Sequence, residues 1–470
     1  MKQPQTHRRS SRRGIASVLA MLYLLLFSVL AVGYFAANTL SVQISKNDKA
    51  SEQAQMAAES GLQFMRYSLG AIVIDPATPD ANLEAAVATN LNTLIGSTQN
   101  MQGNSVVVSP DGYIYIPSAS SYMTVDANTG NRFQAKLWTS GPFVWMKVTG
   151  YGPSTSIGRA VQIEFQKATH ASSIFNFGVA SKSAITMSGN VKIVGQSDPK
   201  KGSVLSATAA ANPLTMTGAP QISGDFSFSN PSGVNNFANG TIATYKSTDA
   251  NFSQHVHAGV TPPLFPYVDT SSYLAYTQGT YSGNGSGGPT LINQIIPANA
   301  NPSFTGGTTI KGVLYIKTPN KVKFAGNVTI NGAIVVENNP QGNPSTNTLY
   351  FGGNVTALPM SSLPTSANFP AGEKALTGAF LLAPTFGVTF TGNFGTIGGS
   401  IIASQFAYSG NAGGTVQGSV INLNDNASPM TMAGNSDIII ASTGTSNYPA
   451  GVSFGNKFAP LPGTYEEVAP

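Results

Sequence analysis

Two closely spaced histidines are the first side chains in this sequence that could do chemistry. The chain contains four histidines and no cysteine. His255 and His257 are separated by one valine, so in a strand both imidazoles would lie on the same side. A zinc site needs three or four protein ligands, and few acids and no thiols accompany this pair. The pattern therefore favours a solvated pair of histidines and predicts no metal site.

Carboxylates that could act as general acid and base are sparse and follow no repeat. A glycosidase needs two clustered carboxylates, and a nucleophilic enzyme needs a base beside its nucleophile. No Gly-x-Ser-x-Gly motif with such partners and no calcium-binding Asp repeat occurs. The sequence therefore predicts a protein without catalytic residues or cofactors, although its acids in the C-terminal two-thirds include Asp225, Asp249, Asp269, Glu337, Glu373, Asp425 and Asp437.

Composition favours β structure with many turns. Charged residues make up 9% of the 470 residues, against about 25% in a typical soluble protein, and the chain has 50 glycines and 29 prolines. The net charge of +5 is located at the N-terminal tip, in Lys2, Arg8, Arg9, Arg12 and Arg13. The remaining charges balance, so no basic patch predicts nucleic-acid binding.

A long apolar segment follows the basic tip. No charged residue occurs from Gly14 to Ser45, and the apolar stretch 15–37 exceeds the roughly 20 residues that cross a bilayer. Basic residues before it predict a cytoplasmic N-terminus and an exported remainder. A cleaved secretory signal has a shorter apolar region, and Ser11-Arg12-Arg13 only superficially resembles a twin-arginine signal. A retained membrane helix is the favoured interpretation.

The helix is predicted to continue well beyond the membrane segment. No proline occurs between Gln5 and Asp75. Apolar and small residues then recur at helical spacing of three and four, at Ala54, Ala57, Ala58, Gly61, Leu62, Met65 and Leu69. The sequence thus predicts one helix over 15–70, apolar on all sides at its start and amphipathic at its end.

The order of these features resembles the N-terminal domain of PilX-type minor type IV pilins. The resemblance rests on the basic residues, Arg13-Gly14, the apolar helix and the stretch Ala57-Ala58-Glu59-Ser60-Gly61-Leu62, within about residues 8–70. It implies a prepilin leader 1–14, cleavage between Gly14 and Ile15 by prepilin peptidase, and a helix that packs with other pilins. Most major pilins carry Glu at the fifth mature position, which is Leu19 here, so the resemblance implies a minor or tip subunit. An ordinary single-span membrane anchor is the alternative.

Residues 71–170 are predicted to form a small α+β head like that of a pilin. Pro79-Asp80 opens a short helix whose apolar face carries Leu83, Val87, Leu91 and Leu94. Strands are predicted at 105–109, 112–116, 133–139, 143–151 and 159–166, with turns at the Gly-Pro pairs between the last three. Trp138 and Trp145 lie in these strands, where core packing is favoured over sugar stacking.

A repeated pattern predicts a right-handed parallel β-solenoid over 171–450. The pattern is apolar, x, apolar, small, Gly and often Asn, and its glycines are Gly189, Gly218, Gly326, Gly353, Gly392, Gly410 and Gly434. Alternating apolar residues would face inward, and Gly and Asn accept the positive φ of a tight corner. A β-sandwich is the alternative. A loop-rich insertion is predicted over 229–312, and the Pro-rich tail 451–470 is predicted to cover the open end of the solenoid.

Together these features predict a mainly β, non-enzymatic pilin or pseudopilin of a type IV pilus or a type II secretion-like system. Its expected partners are the inner membrane, other pilins, prepilin peptidase and a surface or glycan ligand. Its expected location is the inner membrane, with the C-terminal part in the periplasm or on a surface fimbrium. A membrane-anchored β-helical surface adhesin and a β-helical carbohydrate-active enzyme are the alternatives.

Overall fold

The computed structural model describes residues 13–76, 78–153, 156–169, 172–339, 341–425, 428–442 and 448–470. The predicted leader before Arg13 lies outside these residues. The chain divides into a first unit, Met1–Ala168 with Lys457–Pro470, and a second unit, Thr169–Asn456. Strands predominate, and the one long helix is at the N-terminus, so the expected mainly β fold with a long apolar N-terminal helix is confirmed.

The helices and strands are numbered in chain order. The α-helices are α1 (Arg13–Ala71), α2 (Leu83–Ile95), α3 (Ser271–Leu274) and α4 (Ala371–Lys374). Short 3-10 helices lie at Asp80–Asn82, Gln99–Met101, Ser173–Asn176, Pro199–Gly202, Phe252–His255 and Met360–Ser362.

The first strands along the chain are β1 (Ile114–Ile116), β2 (Met123–Asp126), β3 (Asn131–Ser140), β4 (Phe143–Tyr151) and β5 (Gly158–Thr169). Those that follow are β6 (Val179–Ser181), β7 (Ile185–Gly189), β8 (Lys192–Gly195), β9 (Val204–Ser206), β10 (Leu214–Gly218), β11 (Gln221–Ile222), β12 (Phe226–Phe228), β13 (Thr241–Ile242), β14 (Tyr245–Lys246), β15 (Val256–Ala258), β16 (Tyr267–Val268), β17 (Gly279–Thr280), β18 (Thr290–Ile296), β19 (Ser303–Phe304) and β20 (Thr308–Ile316). The last are β21 (Lys321–Phe324), β22 (Val328–Val336), β23 (Thr348–Phe351), β24 (Val355–Leu358), β25 (Ala379–Phe390), β26 (Thr396–Ile397), β27 (Ser400–Tyr408), β28 (Gly413–Val416), β29 (Val420–Asn422), β30 (Met430–Gly434), β31 (Asp437–Ile440), β32 (Val452–Ser453), β33 (Asn456–Pro460) and β34 (Glu466–Val468).

The first unit packs the C-terminal half of α1 and α2 on one face of a sheet. In that sheet β3 pairs antiparallel with β1, β2 and β4, and β4 pairs antiparallel with β5. Side chains alternate along β3, so Phe133, Ala135 and Leu137 are buried in the core while the residues between them are half-buried. The predicted face of α2 is correct at three positions, but Leu94 is 41% exposed and Ile95 is buried instead.

The two tryptophans are not part of this core, contrary to the prediction. Trp138 and Trp145 alternate with the buried residues of β3 and β4, so they point away from the helical side of the sheet. Both are half-buried. The sequence pattern shows that strands alternate, but it does not show which face receives the helix.

Most of the predicted C-terminal tail belongs to the first unit, since residues 457–470 are part of it, whereas 451–456 belong to the second unit. β33 lies beside β5 in the head sheet, and β34 pairs antiparallel with β5 from Glu466↔Gln162 to Val468↔Ala160. Residues 457–470 therefore complete an edge of the head sheet, which would otherwise present unpaired backbone groups.

Parallel pairing dominates the second unit. An 18-stranded sheet contains long parallel registers, such as β20 beside β22 from Thr308↔Val328 to Ile316↔Val336. A seven-stranded sheet is also largely parallel: β8 pairs in parallel with β11 and β31, and β31 pairs in parallel with β28. The spatial order differs from the chain order, because β7 lies between β10 and β30. Strands near residue 430 thus pair with strands near residue 185.

The repeated glycines lie where one strand turns beside the next. Gly189, Gly218, Gly410 and Gly434 have φ values from 68° to 91°, a region that favours glycine. Gly326, Gly353 and Gly392 lie outside that region, so the predicted corner conformation is wrong at these three. A methyl group on Gly218 would approach the backbone oxygen of Gly189 to 2.7 Å. Two of the asparagines that follow these glycines interact, since Asn190 Nδ2 donates to Asn435 Oδ1 at 3.3 Å.

Part of the predicted insertion is regular structure instead. The interval 229–312 was expected to be loop-rich, but β18 pairs in parallel with β20 from Thr290↔Thr309 to Ile296↔Ile316, with one irregularity. Leu291 and Ile296 are buried in the same core as the repeats. Earlier in the interval, Val268 and Tyr273 pack in a second cluster with Val335 and Leu382. The interval before β18 also contributes β15, which is parallel to β12, and β17, which is parallel to β18.

Glu373 is buried in the second unit without a positive partner among the described residues. Asn293 Nδ2 donates to its Oε2 at 3.0 Å, and Oε1 has no hydrogen-bond partner. Burial is the main cause that raises the pKa of this carboxyl above its ordinary value, and the bond from Asn293 opposes it.

We expect Glu373→Gln to stabilise the second unit more at about pH 8 than at about pH 5. A carboxyl whose pKa is raised by folding favours the folded state below its unfolded pKa, and this contribution is lost as pH rises through the folded pKa. Thermal midpoints from circular dichroism at both pH values measure the difference. Asp425→Asn, at an exposed carboxylate, is the control. A smaller gain at the higher pH contradicts the prediction.

Candidate functional site

The N-terminal half of α1 is an apolar surface that none of the described residues covers. Its large apolar side chains, from Ile15 to Ile44, are 52% exposed or more. The helix contains an 18-residue window with a mean hydropathy of 2.6, none of it buried, which is long and apolar enough to cross a membrane. Exposed apolar area of this extent marks a membrane or protein interaction site.

The residues at the predicted processing site lie at the start of this surface. Arg13 and Gly14 are within α1. Ile15 is 72% exposed and Leu19 is 52% exposed. Because no ionisable side chain other than tyrosine lies between 15 and 45, this part of the helix presents no carboxylate to a neighbouring helix.

The C-terminal half of α1 packs on the head sheet through very small residues. Ala54, Ala57 and Ala58 are completely buried. They lie directly against Gly150 of β4, where a methyl group would overlap the backbone of Ala54 and Ala58. One turn further, Gly61 faces the ring of Phe133, which a methyl group on Gly61 would approach to 2.5 Å. The Ala-Ala-Glu-Ser-Gly-Leu stretch therefore permits close approach of helix and sheet.

The acid of that stretch connects α1 with the C-terminal tail. The hydroxyl of Tyr465 donates to Glu59 Oε1, and this bond is the main cause that raises the pKa of Tyr465 to about 12. Gln55 Nε2 donates to Glu467 Oε1 at 3.4 Å. No pattern in the sequence indicates these contacts, because the partners are about 400 residues apart and the tail follows no pattern that identifies its position.

Comparison with known proteins adds two distant similarities. No family model matches the sequence, and no curated protein matches it. The competence-associated pilin ComZ from Thermus thermophilus aligns over 89% of this chain and 97% of its own, at 14% identity and a TM-score of 0.24. An ice-binding protein from an Antarctic biological consortium aligns over 58% of this chain and 94% of its own, at 17% identity and a TM-score of 0.22. At these TM-scores neither similarity carries an argument about fold or function.

The two histidines singled out in the sequence meet an acid that the sequence did not connect with them. His255 Nδ1 lies 2.7 Å from Asp225 Oδ1, and His257 Nε2 lies 3.3 Å from Asp225 Oδ2. The ring of Tyr245 stacks on His255, with centroids 5.3 Å apart. The imidazoles contact different oxygens of one carboxylate. Within the described residues no group of three His, Cys, Asp or Glu could hold a metal ion.

Proposed function

We propose that this protein is a non-enzymatic, PilX-like minor pilin or pseudopilin of a type IV pilus or a type II secretion-like system. Prepilin peptidase cleaves it between Gly14 and Ile15, and α1 then resides in the inner membrane before it joins the helices of other pilins. The observation that carries the proposal is the division of α1 into an exposed apolar half and a half that is packed on its own head sheet.

The residues of the exposed half of α1 suit association with the helices of other pilins. The exposed half contains small residues that let helices approach closely in a membrane, namely Ala16, Ala20, Gly33, Ala36 and Ala37. A methyl group on Gly33 would meet no atom within 4 Å in this chain. The packed half keeps the head attached to the helix, so a neighbouring helix contacts only the apolar half.

In this proposal the second unit is a right-handed β-solenoid that the head displays as a tip structure, adhesin or scaffold. Its parallel registers, inward apolar residues and glycine corners support the solenoid. The proposal of no catalysis rests on how few carboxylates the sequence contains; in the structure Glu373 is buried against Asn293, and Asp225 contacts two histidines. The exported unit lies in the periplasm or on a surface filament.

The mature N-terminus tests the proposal. Mass analysis of the membrane-extracted protein is expected to find Ile15 as the first residue in cells with prepilin peptidase and Met1 in cells without it. Gly14→Leu is expected to abolish the cleavage, since the resemblance implies a glycine before the cut. Gly33→Ala, at an unobstructed glycine of the same helix, is expected to leave the cleavage unchanged.

The alternative is a membrane-anchored adhesin that is never processed. The exposed apolar half of α1 also suits a simple anchor. An intact Met1 in the presence of the peptidase, or a cut beyond Ala37, would support that alternative and reject the pilin.

A further inference from the structure

The outer face of the head sheet carries an aromatic patch that the proposed function does not use. Trp138 of β3 and Trp145 of β4 are directly opposite each other. Their rings are parallel within 8°, with centroids 6.2 Å apart. This separation is typical of offset rather than face-to-face rings. Tyr113 meets Trp138 edge-on at 6.1 Å. All three side chains are half-buried, so ring surface remains open to solvent.

Charged groups of both signs border the rings. Lys136 and Lys147 form the neighbouring cross-strand pair, and Lys136 Nζ lies 3.4 Å from the centroid of the Tyr113 ring. Neither lysine has a carboxylate within 4 Å in the described part of the chain. Burial and the charge of Lys136 lower the pKa of Lys147. On the other side of Trp145, the opposite residue of β5 is Glu164.

The edge of the patch beside Tyr113 is also polar. Asp111 Oδ2 accepts a hydrogen bond from the Tyr115 hydroxyl at 2.8 Å. The two lysines are thus balanced by Asp111 and Glu164, and the patch presents donors and acceptors around apolar rings without a large net charge. Such a balance of charges gives a polyanion little electrostatic attraction to the patch. A sugar ring, which has an apolar face and hydroxyl groups around its edge, matches the apolar rings and the polar groups around them.

We propose that the aromatic patch, formed by Tyr113, Trp138 and Trp145 with Lys136 and Lys147, binds the pyranose rings of an uncharged polysaccharide. The C–H face of a pyranose packs on an indole ring, and its hydroxyls donate to Glu164 and accept from the lysines. Tryptophan and tyrosine are enriched among the residues that dominate binding energy at interfaces. Because α1 packs on the opposite face of the sheet, the patch is not part of the contact between α1 and the sheet.

Tryptophan emission of the detergent-solubilised full-length protein tests this binding directly. The chain contains only two tryptophans, and both are in the patch. Titration with cellohexaose, fully N-acetylated chitohexaose and mannohexaose is expected to give a saturable change in emission with at least one of them. Hexagalacturonate is the anionic probe. Saturation with hexagalacturonate alone, or no response to any neutral hexasaccharide, would overturn the proposal.

Substitutions test whether the change in tryptophan emission arises from binding at the aromatic patch. Trp145→Ala leaves one reporter and is expected to weaken binding about tenfold, which corresponds to about 1.4 kcal/mol. Trp145→Phe keeps an aromatic ring and is expected to restore most of the affinity, followed through Trp138. Tyr67→Ala removes an aromatic residue that is 77% exposed on α1 and is expected to change nothing. Equal weakening by Tyr67→Ala would reject the patch as the site. Because processing is not required, a failure here is distinct from a failure of the pilin proposal.

Discussion

Gly150→Ala is expected to destabilise the first unit by about 3 kcal/mol, near the upper end of the cost of overpacking a core. The added methyl group would overlap backbone atoms of Ala54 and Ala58. A backbone cannot rotate away as a flexible side chain does, so α1 must move away from β4. That movement would open the contacts of Gly61 with Phe133 and Val148 one turn further along.

Denaturation in urea followed by tryptophan emission measures this effect, because both tryptophans lie in the head sheet. Gly70→Ala is the matched control. It lies in α1, with no atom within 4 Å of the added methyl group, so its helix propensity should give a gain of up to about 1 kcal/mol. An unchanged midpoint for Gly150→Ala would show that close packing of α1 on β4 does not hold the head together.

The sequence was sufficient to predict α1 and the small residues on one side of it. Helical spacing identifies Ala54, Ala57, Ala58 and Gly61 as a face, and the structure places that face on the sheet. The residue that requires them to be small could not be predicted. Gly150 is about 90 residues away in a strand, and its lack of a side chain leaves no periodic signal.

The repeats show a similar limit. The pattern predicts which residues of a strand face inward, because alternation is local, and Ile185 and Met187 are buried as expected. It does not predict which strand lies beside which. The chain places residues near 430 beside residues near 185, and nothing within either strand distinguishes that neighbour from the next strand along the sequence.

The aromatic patch was missed for a different reason. Burial of tryptophan is the general tendency, so core packing was the favoured interpretation of Trp138 and Trp145. The assignment of faces depends on where α1 and α2 pack, which is a tertiary property. The one local signal was the pairing of each tryptophan with a nearby lysine at spacing two, in Lys136-Leu-Trp138 and Trp145-Met-Lys147. Residues two apart in a strand share a face, and lysine is rarely buried.

A column of aromatic rings passes through the core of the second unit and gives the other large prediction. Phe351 is completely buried, and its ring stacks on Phe324 at 5.2 Å and on Phe390 at 4.8 Å. The column continues to Phe304 on one side and to Tyr408 on the other. Each ring belongs to a neighbouring parallel strand, so the spacing of the rings follows the spacing of the strands.

We expect Phe351→Ala to destabilise the second unit by about 3–5 kcal/mol, the range for removal of a buried phenylalanine. Phe324 and Phe390 both lose their stacking partner, and the rigid backbone ladder on each side keeps them from closing the cavity. Urea denaturation followed by far-ultraviolet circular dichroism reports the second unit, which contains most of the strands. Tryptophan emission reports the first unit in the same samples.

Two further variants distinguish the stability that the ring column contributes from the stability lost whenever apolar area is removed. Phe351→Leu fills much of the cavity and should recover part of the loss, whereas Val234→Ala, at a side chain that is 69% exposed, should stay within about 0.5 kcal/mol. A Phe351→Ala midpoint equal to that of Val234→Ala would mean that the strands hold together without the rings. A shift confined to the dichroism transition would instead show that the ring column stabilises the parallel strands independently of the head.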